Sequence, residues 1–340
     1  MKKLFPLGAV AMLLIVTHST QAQDNSSTSS SSHSKFYLKI AGGYFFSVSP
    51  GQFPNVGPYP PQDLHTQFSS GRMDTVSRKV LTGSYGEGFR GGLSVGYNIN
   101  KYFAVEGTFN YFHSKKNLMT RQRTTMIDGA GSSRELGHVE SHGYVNAIDF
   151  APSLVVSPGL EKINPYVRFG VVVPLWGRLY IETDAMQTST PAGIPTGTAV
   201  VTNISRKEEV KPNPTIGFQG ALGVSFRVSP RFDVFVETEY RNVPVRSKEK
   251  EITEYNETNT LINASTGAVV QALPGRTIGD LSVAEKNTEY QTTLDQNSNT
   301  PVGQQGSKVI YKDNNRASND LKSYINIGGL GLNAGLKFRL

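Results

Sequence analysis

The chain has 340 residues, a formal net charge of +7 and no cysteine. The missing cysteine excludes a disulfide scaffold, a thiolate zinc site, a cysteine nucleophile and a lipid-modified N-terminal cysteine. Charged residues make up only 18% of the chain, and the basic ones are not clustered on helices with aromatic partners, so we expect no nucleic-acid partner. The high content of glycine, tyrosine and phenylalanine (34, 15 and 17 residues) favours β-structure.

The N-terminus has the three-part layout of an export signal. Lys2 and Lys3 precede the apolar run LGAVAMLLIV at 7–16, and small residues follow at Thr20 and Ala22. An apolar run this short does not span a bilayer, which needs about 20 residues, so the pattern predicts a signal peptide over 1–22 that is cleaved after export. The serine-rich segment 23–34 buries too little apolar surface to fold and is predicted to be a flexible leader.

From residue 35 onward, the sequence alternates with a period of two. In each run one face is aliphatic and aromatic, while the opposite face mixes Gly, Ala and Ser with charged residues. A period of two indicates β-strands. The predicted strands cover residues 35–48, 89–97, 103–111, 147–156, 167–175, 216–226, 232–241 and 330–340.

The connections between these eight runs alternate in length. Short turns are predicted near Asn98, Ser157 and Ser229. Long loops are predicted at about 49–83, 114–141, 178–213 and 242–323. Short turns at one end and long loops at the other are typical of a transmembrane antiparallel up-and-down β-barrel whose apolar face meets lipid.

The sequence therefore predicts one all-β domain over 35–340, an eight-stranded barrel with long loops. Apolar runs at 268–270 and 309–311 inside the last loop are predicted to be short strands that extend past the membrane. The alternative is that two such runs form a ninth and a tenth wall strand.

Several segments resemble the eight-stranded OmpA/OmpX-like outer-membrane β-barrel family of Gram-negative bacteria. They are GGLSVGYNIN, KYFAVEGTFNYF, NAIDFAPSLVVSP, FRVSPRFDVFVETEYR and the terminal run GLNAGLKFRL. The resemblance covers the strands and short turns but not the long loops. It implies a monomer in the bacterial outer membrane, in contact with lipid and lipopolysaccharide, with its long loops outside the cell.

The resemblance also implies that the barrel-assembly machinery reads the terminal strand. In this chain the corresponding signal is Phe338 and Leu340. The family usually ends in an aromatic residue, and the leucine at the end of this chain departs from that pattern.

Nine charged side chains point into the lumen by strand parity. An eight-stranded barrel is only wide enough for side chains, so these residues are predicted to form a packed polar network, with a small ion path as the alternative. They are Lys39, Arg90, Glu106, Asp149, Arg168, Glu237, Glu239, Lys337 and Arg339.

Two histidine patterns are the candidates for chemistry. His138, Glu140 and His142 in HVESH would share one face of a strand, but the spacing is not HExxH, and we expect solvated residues instead of a metal site. The pair His113-Ser114 is the nearest match to the Ser and His of lipid A-modifying barrel enzymes, and the chain has no G-x-S-x-G elbow. The sequence therefore predicts no catalytic residue, cofactor or metal.

Basic residues lie near the predicted borders between strands and loops, where lipopolysaccharide phosphates would be partners. Neighbouring acidic residues favour the alternative, ordinary solvated loop charge. The basic residues are Lys115, Lys116, Arg121, Arg123, Arg206, Lys207, Arg246 and Lys248.

The predicted function is that of a non-catalytic outer-membrane barrel, either structural or for surface recognition and adhesion through its long loops. The sequence does not identify the extracellular ligand. The alternatives are a small porin-like pore and a lipid A-modifying enzyme.

Overall fold

The structure, a computed structural model, describes residues 35–48, 50–127, 131, 133–213 and 215–340. The predicted signal peptide over 1–22 and the predicted leader over 23–34 lie outside the described residues. Eight antiparallel strands form the wall of a barrel. They are β1 Phe36–Phe46, β2 Gly88–Asn98, β3 Phe103–Ser114, β4 Ser133–Val156, β5 Ile163–Ser189, β6 Gly217–Arg227, β7 Phe232–Asn242 and β8 Leu330–Arg339.

Each wall strand pairs with its neighbours in chain order, and the circle closes between β8 and β1. Leu38 on β1 faces Val95 on β2 and Phe338 on β8. Because every wall strand pairs with a neighbour on both sides along most of its length, the closed wall satisfies most of the backbone groups that hydrocarbon would leave unpaired. The eight-stranded barrel is confirmed. The ten-stranded alternative is wrong, because the runs at 268–270 and 309–311 contribute to strands that pair outside the wall.

Tight turns join the wall strands at one end. Between β2 and β3, Asn100 Oδ1 accepts hydrogen bonds from the backbone N–H groups of Tyr102 and Phe103 at 2.8 and 2.9 Å. Between β6 and β7, Ser229 Oγ accepts one from the Phe232 N–H at 3.1 Å. Asn and Ser suit these positions because their side-chain oxygens satisfy backbone donors that the turn leaves free.

The wall is apolar outside and polar inside. On β3, the side chains of Val105, Phe109 and Tyr111 are exposed, whereas the alternating Glu106 and Thr108 are buried. This follows from the side-chain period of two along a strand. The exposed apolar side chains of all eight strands form a belt around the wall.

At the other end, the chain predicted as long loops forms further β-structure, which we call the outer sheet. Its middle is the continuation of β4 and β5 past the wall. On one side, Thr198–Asn213 pairs with β5, followed by Pro244–Asn263 and Val269–Thr277. On the other side, Asn117–Ile127 pairs with β4, followed by Gln62–Ser69 and Arg72–Val80.

The remaining elements are short. The strands are Gly51–Gln52, Thr82–Gly83, Asn287–Gln291, Pro301–Gln305, Lys308–Tyr311, Ser318–Leu321 and Tyr324–Asn326. A 3₁₀ turn spans Ile278–Asp280, and the helix α1 spans Val283–Lys286, where Ser282 Oγ accepts a hydrogen bond from the Glu285 N–H at 3.2 Å. In the described part of the chain, no helix combines the length and apolar character needed to cross a membrane.

Candidate functional site

Seven of the nine predicted lumen residues meet in one buried cluster, which we call the lumen network. Each wall strand that contributes does so with side chains of inward parity. The seven are Lys39 on β1, Arg90 on β2, Glu106 on β3, Asp149 on β4, Arg168 on β5, and Glu237 and Glu239 on β7.

Arg168 lies at the centre of the lumen network. Its Nη2 donates to Glu237 Oε1 at 2.5 Å and lies 3.5 Å from Glu239 Oε2. Its Nε lies 3.7 Å from Glu106 Oε1. Lys39 Nζ completes this half of the network, 3.4 Å from Glu106 and 3.8 Å from Glu237. Four strands are therefore cross-linked through the lumen by charge pairs.

Arg241 on β7 belongs to the lumen network and was missed by the prediction. It is 1% exposed, its Nε lies 3.0 Å from Glu239 Oε1, and two of its nitrogens donate to Asp149 at 3.0 Å. Arg90 donates to the same Asp149 carboxylate at 2.9 Å. The signal was present in the sequence, since Arg241 has the same strand parity as Glu237 and Glu239.

The lumen network is balanced and tightly packed. With Arg241 included, its four cations face four carboxylates, so its formal charge is zero. Neutral side chains add hydrogen bonds, such as the one that Asn333 donates to Glu239 at 2.7 Å. Buried charges require this pairing, because desolvation otherwise costs several kcal/mol for each ion. The cavity left among these side chains has a volume of about 20 Å³, close to the space of one water.

Lys337 and Arg339 lie towards the short-turn end, and no ion pair joins them to the seven other predicted residues in the part of the chain that is described. Arg339 Nη2 donates to both oxygens of the buried Asp233 at 2.8 and 2.7 Å. Lys337 Nζ lies 3.8 Å from the centre of the Tyr37 ring, a cation–π contact. These two residues fill the end of the lumen.

The predicted assembly signal lies at the end of the terminal strand. The Phe338 ring packs on the Phe232 ring of β7, with 4.9 Å between the ring centres. The Leu340 N–H donates to the Phe36 carbonyl at 3.0 Å. These contacts anchor the chain end in the wall, and the role of Phe338 and Leu340 in assembly stays a prediction.

An apolar cap closes the lumen at the outer-sheet end. The segment between β1 and β2 folds inward and places Phe53, Val56 and Tyr85 in one buried cluster with Phe112 and Met119. The Arg90 guanidinium lies 4.5 Å from the centre of the Phe112 ring, so the cap rests on the lumen network. The sequence did not predict the cap, because side chains in an irregular segment have no period that reveals their direction.

The HVESH segment lies on β4, in the outer sheet. Arg121 Nε donates to Glu140 at 2.7 Å, and this hydrogen bond lowers the pKa of Glu140. His138 and His142 lie 3.4 and 3.6 Å from Glu135 and Glu140. Within the described ranges, no group of three His, Cys, Asp or Glu side chains is arranged to hold a metal ion.

His113 and Ser114 lie on opposite faces of β3. The exposed His113 ring is hydrogen-bonded to Asn146 Oδ1 at 2.6 Å. Ser114 is fully buried, and its Oγ accepts a hydrogen bond from the Val145 N–H at 2.7 Å. A nucleophile and its base must lie within hydrogen-bond reach, so these two neighbours do not form such a pair.

Most of the basic residues near the rim of the wall have carboxylate partners. The pairs are Lys115–Glu87, Lys116–Glu182, Arg121–Glu140, Arg206–Glu208, Lys207–Glu254 and Lys248–Glu249. For Arg123 and Arg246, the described residues offer no ion pair. For six of the eight residues, the pairing favours local ion pairs over bound phosphate. Arg123 and Arg246 differ from the other six because they have no carboxylate partner among the described residues.

Unlike the wall, the outer sheet has an open edge. Arg72–Val80 pairs with Gln62–Ser69 on one side and with no other described strand, and all nine of its residues are exposed. Ser70 and Gly71 form the turn between the two strands with φ of 50° and 78°, as a two-residue type I′ turn requires. Such an edge presents N–H and C=O groups to which an extended peptide can pair.

A family model described as outer membrane protein beta-barrel domain matches residues 9–269. The matched range contains β1 to β7 and much of the outer sheet, well over half of the chain. A comparison with curated proteins found no match to the chain.

Proposed function

Since the chain belongs to the outer membrane protein beta-barrel domain family and is an outer-membrane barrel protein, we propose that it is a non-catalytic, non-conducting surface protein that recognises an extracellular partner through its outer sheet. In outer-membrane barrels the short turns face the periplasm and the long loops face the outside. The outer sheet would therefore stand on the cell surface.

The open edge strand Arg72–Val80 is the observation that carries this proposal. It exposes the apolar side chains of Met73, Val76 and Val80 beside three cations and one acid: Arg72, Arg78, Lys79 and Asp74. The excess of positive charge and the free strand edge suit an extended peptide with alternating apolar and acidic side chains.

The two alternative functions have less support. Conduction through the lumen would require an ion to pass both the apolar cap and the lumen network, whose residual cavity is about 20 Å³. Lipid A modification lacks its nearest candidate pair, because His113 and Ser114 lie on opposite faces of β3.

The test of the proposal removes a single backbone donor from the edge strand. A two-residue turn closes on the hydrogen-bonded pair Ser69–Arg72, and hydrogen-bonded and non-hydrogen-bonded pairs then alternate as far as Thr66–Thr75, beyond which the register shifts by one residue. Thr75 is therefore in a non-hydrogen-bonded pair, and its N–H points to the open edge. Thr75→Pro deletes this donor and keeps the bonds to Gln62–Ser69, whereas Thr75→Val keeps the donor and is the matched control.

The measurement is binding of intact cells that display the protein to an immobilised synthetic peptide of alternating Val and Glu. We expect Thr75→Pro to weaken binding about threefold to tenfold, the contribution of one ladder hydrogen bond, and Thr75→Val to leave it unchanged. Protease shaving of the cells should abolish binding. Equal binding by the two variants, or binding that survives shaving, would contradict the proposal.

A further inference from the structure

The ladder of the wall is interrupted on one side of β5. Residues 163–172 of β5 pair with β6, and residues 179–189 pair with Thr198–Asn213. Residues 173–178 remain paired with β4, but they have no ladder partner among the described residues on their other side. β5 bulges between Pro174 and Trp176 there, and a proline has no N–H to donate to a ladder. The register is the same on both sides of the interruption, since Val172 pairs with Gly217 and Leu179 pairs with Val210, and we call this interruption of the ladder the gap.

A cavity of about 150 Å³ lies in this gap. Much of its lining is apolar, including Ala147, Leu175, Trp176, Val210, Val245 and Ile327. Leu175 and Trp176 are 56% and 39% exposed and belong to the apolar belt. The cavity is therefore continuous with the lipid-facing surface. Its inner side is formed by Ala147, Val210, Val245 and Ile327, which belong to the same buried cluster as the apolar cap.

Two arginines line the same cavity. Arg178 is partly satisfied, since its Nη1 donates to the Gly177 carbonyl at 2.8 Å and its Nε lies 3.8 Å from Glu209. Arg246 forms no ion pair with a described residue, and its Nε is buried without a hydrogen-bond partner there. A buried donor on a cation is costly to leave unpaired. Arg90, Arg168 and Arg206 also have such an Nε, but each of them forms an ion pair, so Arg246 is the one of the four to which an anion would add a charge partner.

We propose that this gap binds a single-chain anionic amphiphile of the fatty-acid class, with its carboxylate at Arg246 and its first carbons in the cavity. A guanidinium matches a carboxylate with two parallel hydrogen bonds. The rest of the chain passes Leu175 and Trp176 into the outer leaflet. An apolar cavity of this volume holds a ligand of about the size of benzene, which leaves room for one chain segment and not for two.

The chain contains a single tryptophan, and it lines the cavity, so its fluorescence reports on the site. The experiment titrates the refolded full chain in detergent micelles with a chain-brominated dodecanoic acid, whose bromine quenches a nearby indole. We expect saturable quenching that unbrominated dodecanoic acid reverses. The brominated alcohol of the same length should bind about tenfold more weakly, because it lacks the charge-assisted hydrogen bonds.

Matched glycine variants test the location. A Cβ on Gly177 would lie 3.7 Å from Ala147 Cβ and 3.8 Å from Pro212 Cγ, so Gly177→Leu fills the cavity. Gly220→Leu is the control, because a Cβ there meets nothing within 4 Å. Ala147→Leu fills the cavity from β4 and serves as the second variant should Gly177→Leu not fold. Heat-modifiable gel migration verifies folding.

Arginine variants test the carboxylate contact. Arg246→Gln should remove the preference for the acid over the alcohol, whereas Lys248→Gln, a nearby exposed cation paired with Glu249, should keep it.

Three results would overturn the proposal. The first is quenching that rises without saturation or is equal in the filled variants and Gly220→Leu. The second is equal affinity of wild type for acid and alcohol. The third is competition by a two-chain phospholipid as strong as by the fatty acid, which would assign the gap to ordinary membrane lipid.

Discussion

Arg241 is the residue on which the two halves of the lumen network depend. It bonds Asp149, which also holds Arg90, and it contacts Glu239, which faces Arg168. Removal of one member of a buried charge network leaves its partners desolvated and unpaired, which costs more than the pair itself contributes.

We expect Arg241→Met to lower the free energy of unfolding by about 3–5 kcal/mol, because Asp149 and Glu239 lose a buried partner while the volume is nearly kept. Urea unfolding of the protein refolded into lipid vesicles measures this. Arg227→Met, at an exposed position on β6, is the control and should change little. Equal destabilisation by the two variants would show that the network contributes no stability of its own.

For single residues, the sequence predicted well whether a side chain points into the lumen, but it predicted poorly which residue that side chain contacts. Strand parity alone places Glu106, Asp149 and Arg168 in the lumen, because a strand alternates its side chains without exception unless it bulges. Parity does not tell how far a long arginine reaches along the lumen. The separation of Arg339, which pairs with Asp233, from the lumen network therefore required the structure.

Among the elements, two paired strands of the outer sheet, Thr198–Asn213 and Pro244–Asn263, share a buried charge group outside the membrane. Glu208 on Thr198–Asn213 is 1% exposed, and its carboxylate lies 3.0 Å from Lys250 Nζ and 3.5 Å from Arg206 Nη2. Burial alone would raise the pKa of Glu208, but the charges of Arg206 and Lys250 outweigh it and the pKa is lowered.

A lowered pKa fixes the sign of the pH dependence. The stabilisation by Glu208 is complete at pH values above the pKa of the carboxyl group in the unfolded chain, about 4.3. It is lost as the pH falls through the lower pKa that Glu208 has in the folded protein. We expect Glu208→Gln to reduce amide protection in 198–213 about tenfold at neutral pH, measured by hydrogen exchange. The difference from wild type should vanish in acid.

Glu254→Gln is the matched control, because this carboxylate is 64% exposed and pairs with Lys207 on the same two strands. An effect of Glu208→Gln that persists in acid, or an equal effect of Glu254→Gln, would contradict the electrostatic origin.

The outer sheet also shows which strands the alternation of apolar residues does not predict. The run TNISRKEEVKPN within Thr198–Asn213 has few apolar residues, so it carries no alternation to mark a strand. Its strand character comes from pairing with β5 and with Pro244–Asn263, and that second partner begins more than thirty residues later in the chain. The wall strands were predictable because lipid imposes an apolar face on each of them.

For the whole molecule, closure of the wall and closure of the lumen are separate properties. The wall closes through backbone ladders, and sequence periodicity predicted it. The lumen closes through the lumen network and the apolar cap, and the cap depends on a segment between β1 and β2 that folds back into the barrel. An eight-stranded wall encloses so little space that we expect either layer by itself to obstruct an ion.

We therefore expect the refolded protein to give no stable stepwise conductance in planar bilayers, in contrast to a sixteen-stranded porin measured alongside it. An ion that entered the lumen would have to displace Arg168 from Glu237, a contact of 2.5 Å, and then pass between Phe53, Tyr85 and Phe112. Glu106→Gln and Glu237→Gln provide the discriminating variants, since both carboxylates line the residual cavity. Steps in the wild-type protein that disappear in these variants would identify the lumen network as an ion path and contradict the closed lumen.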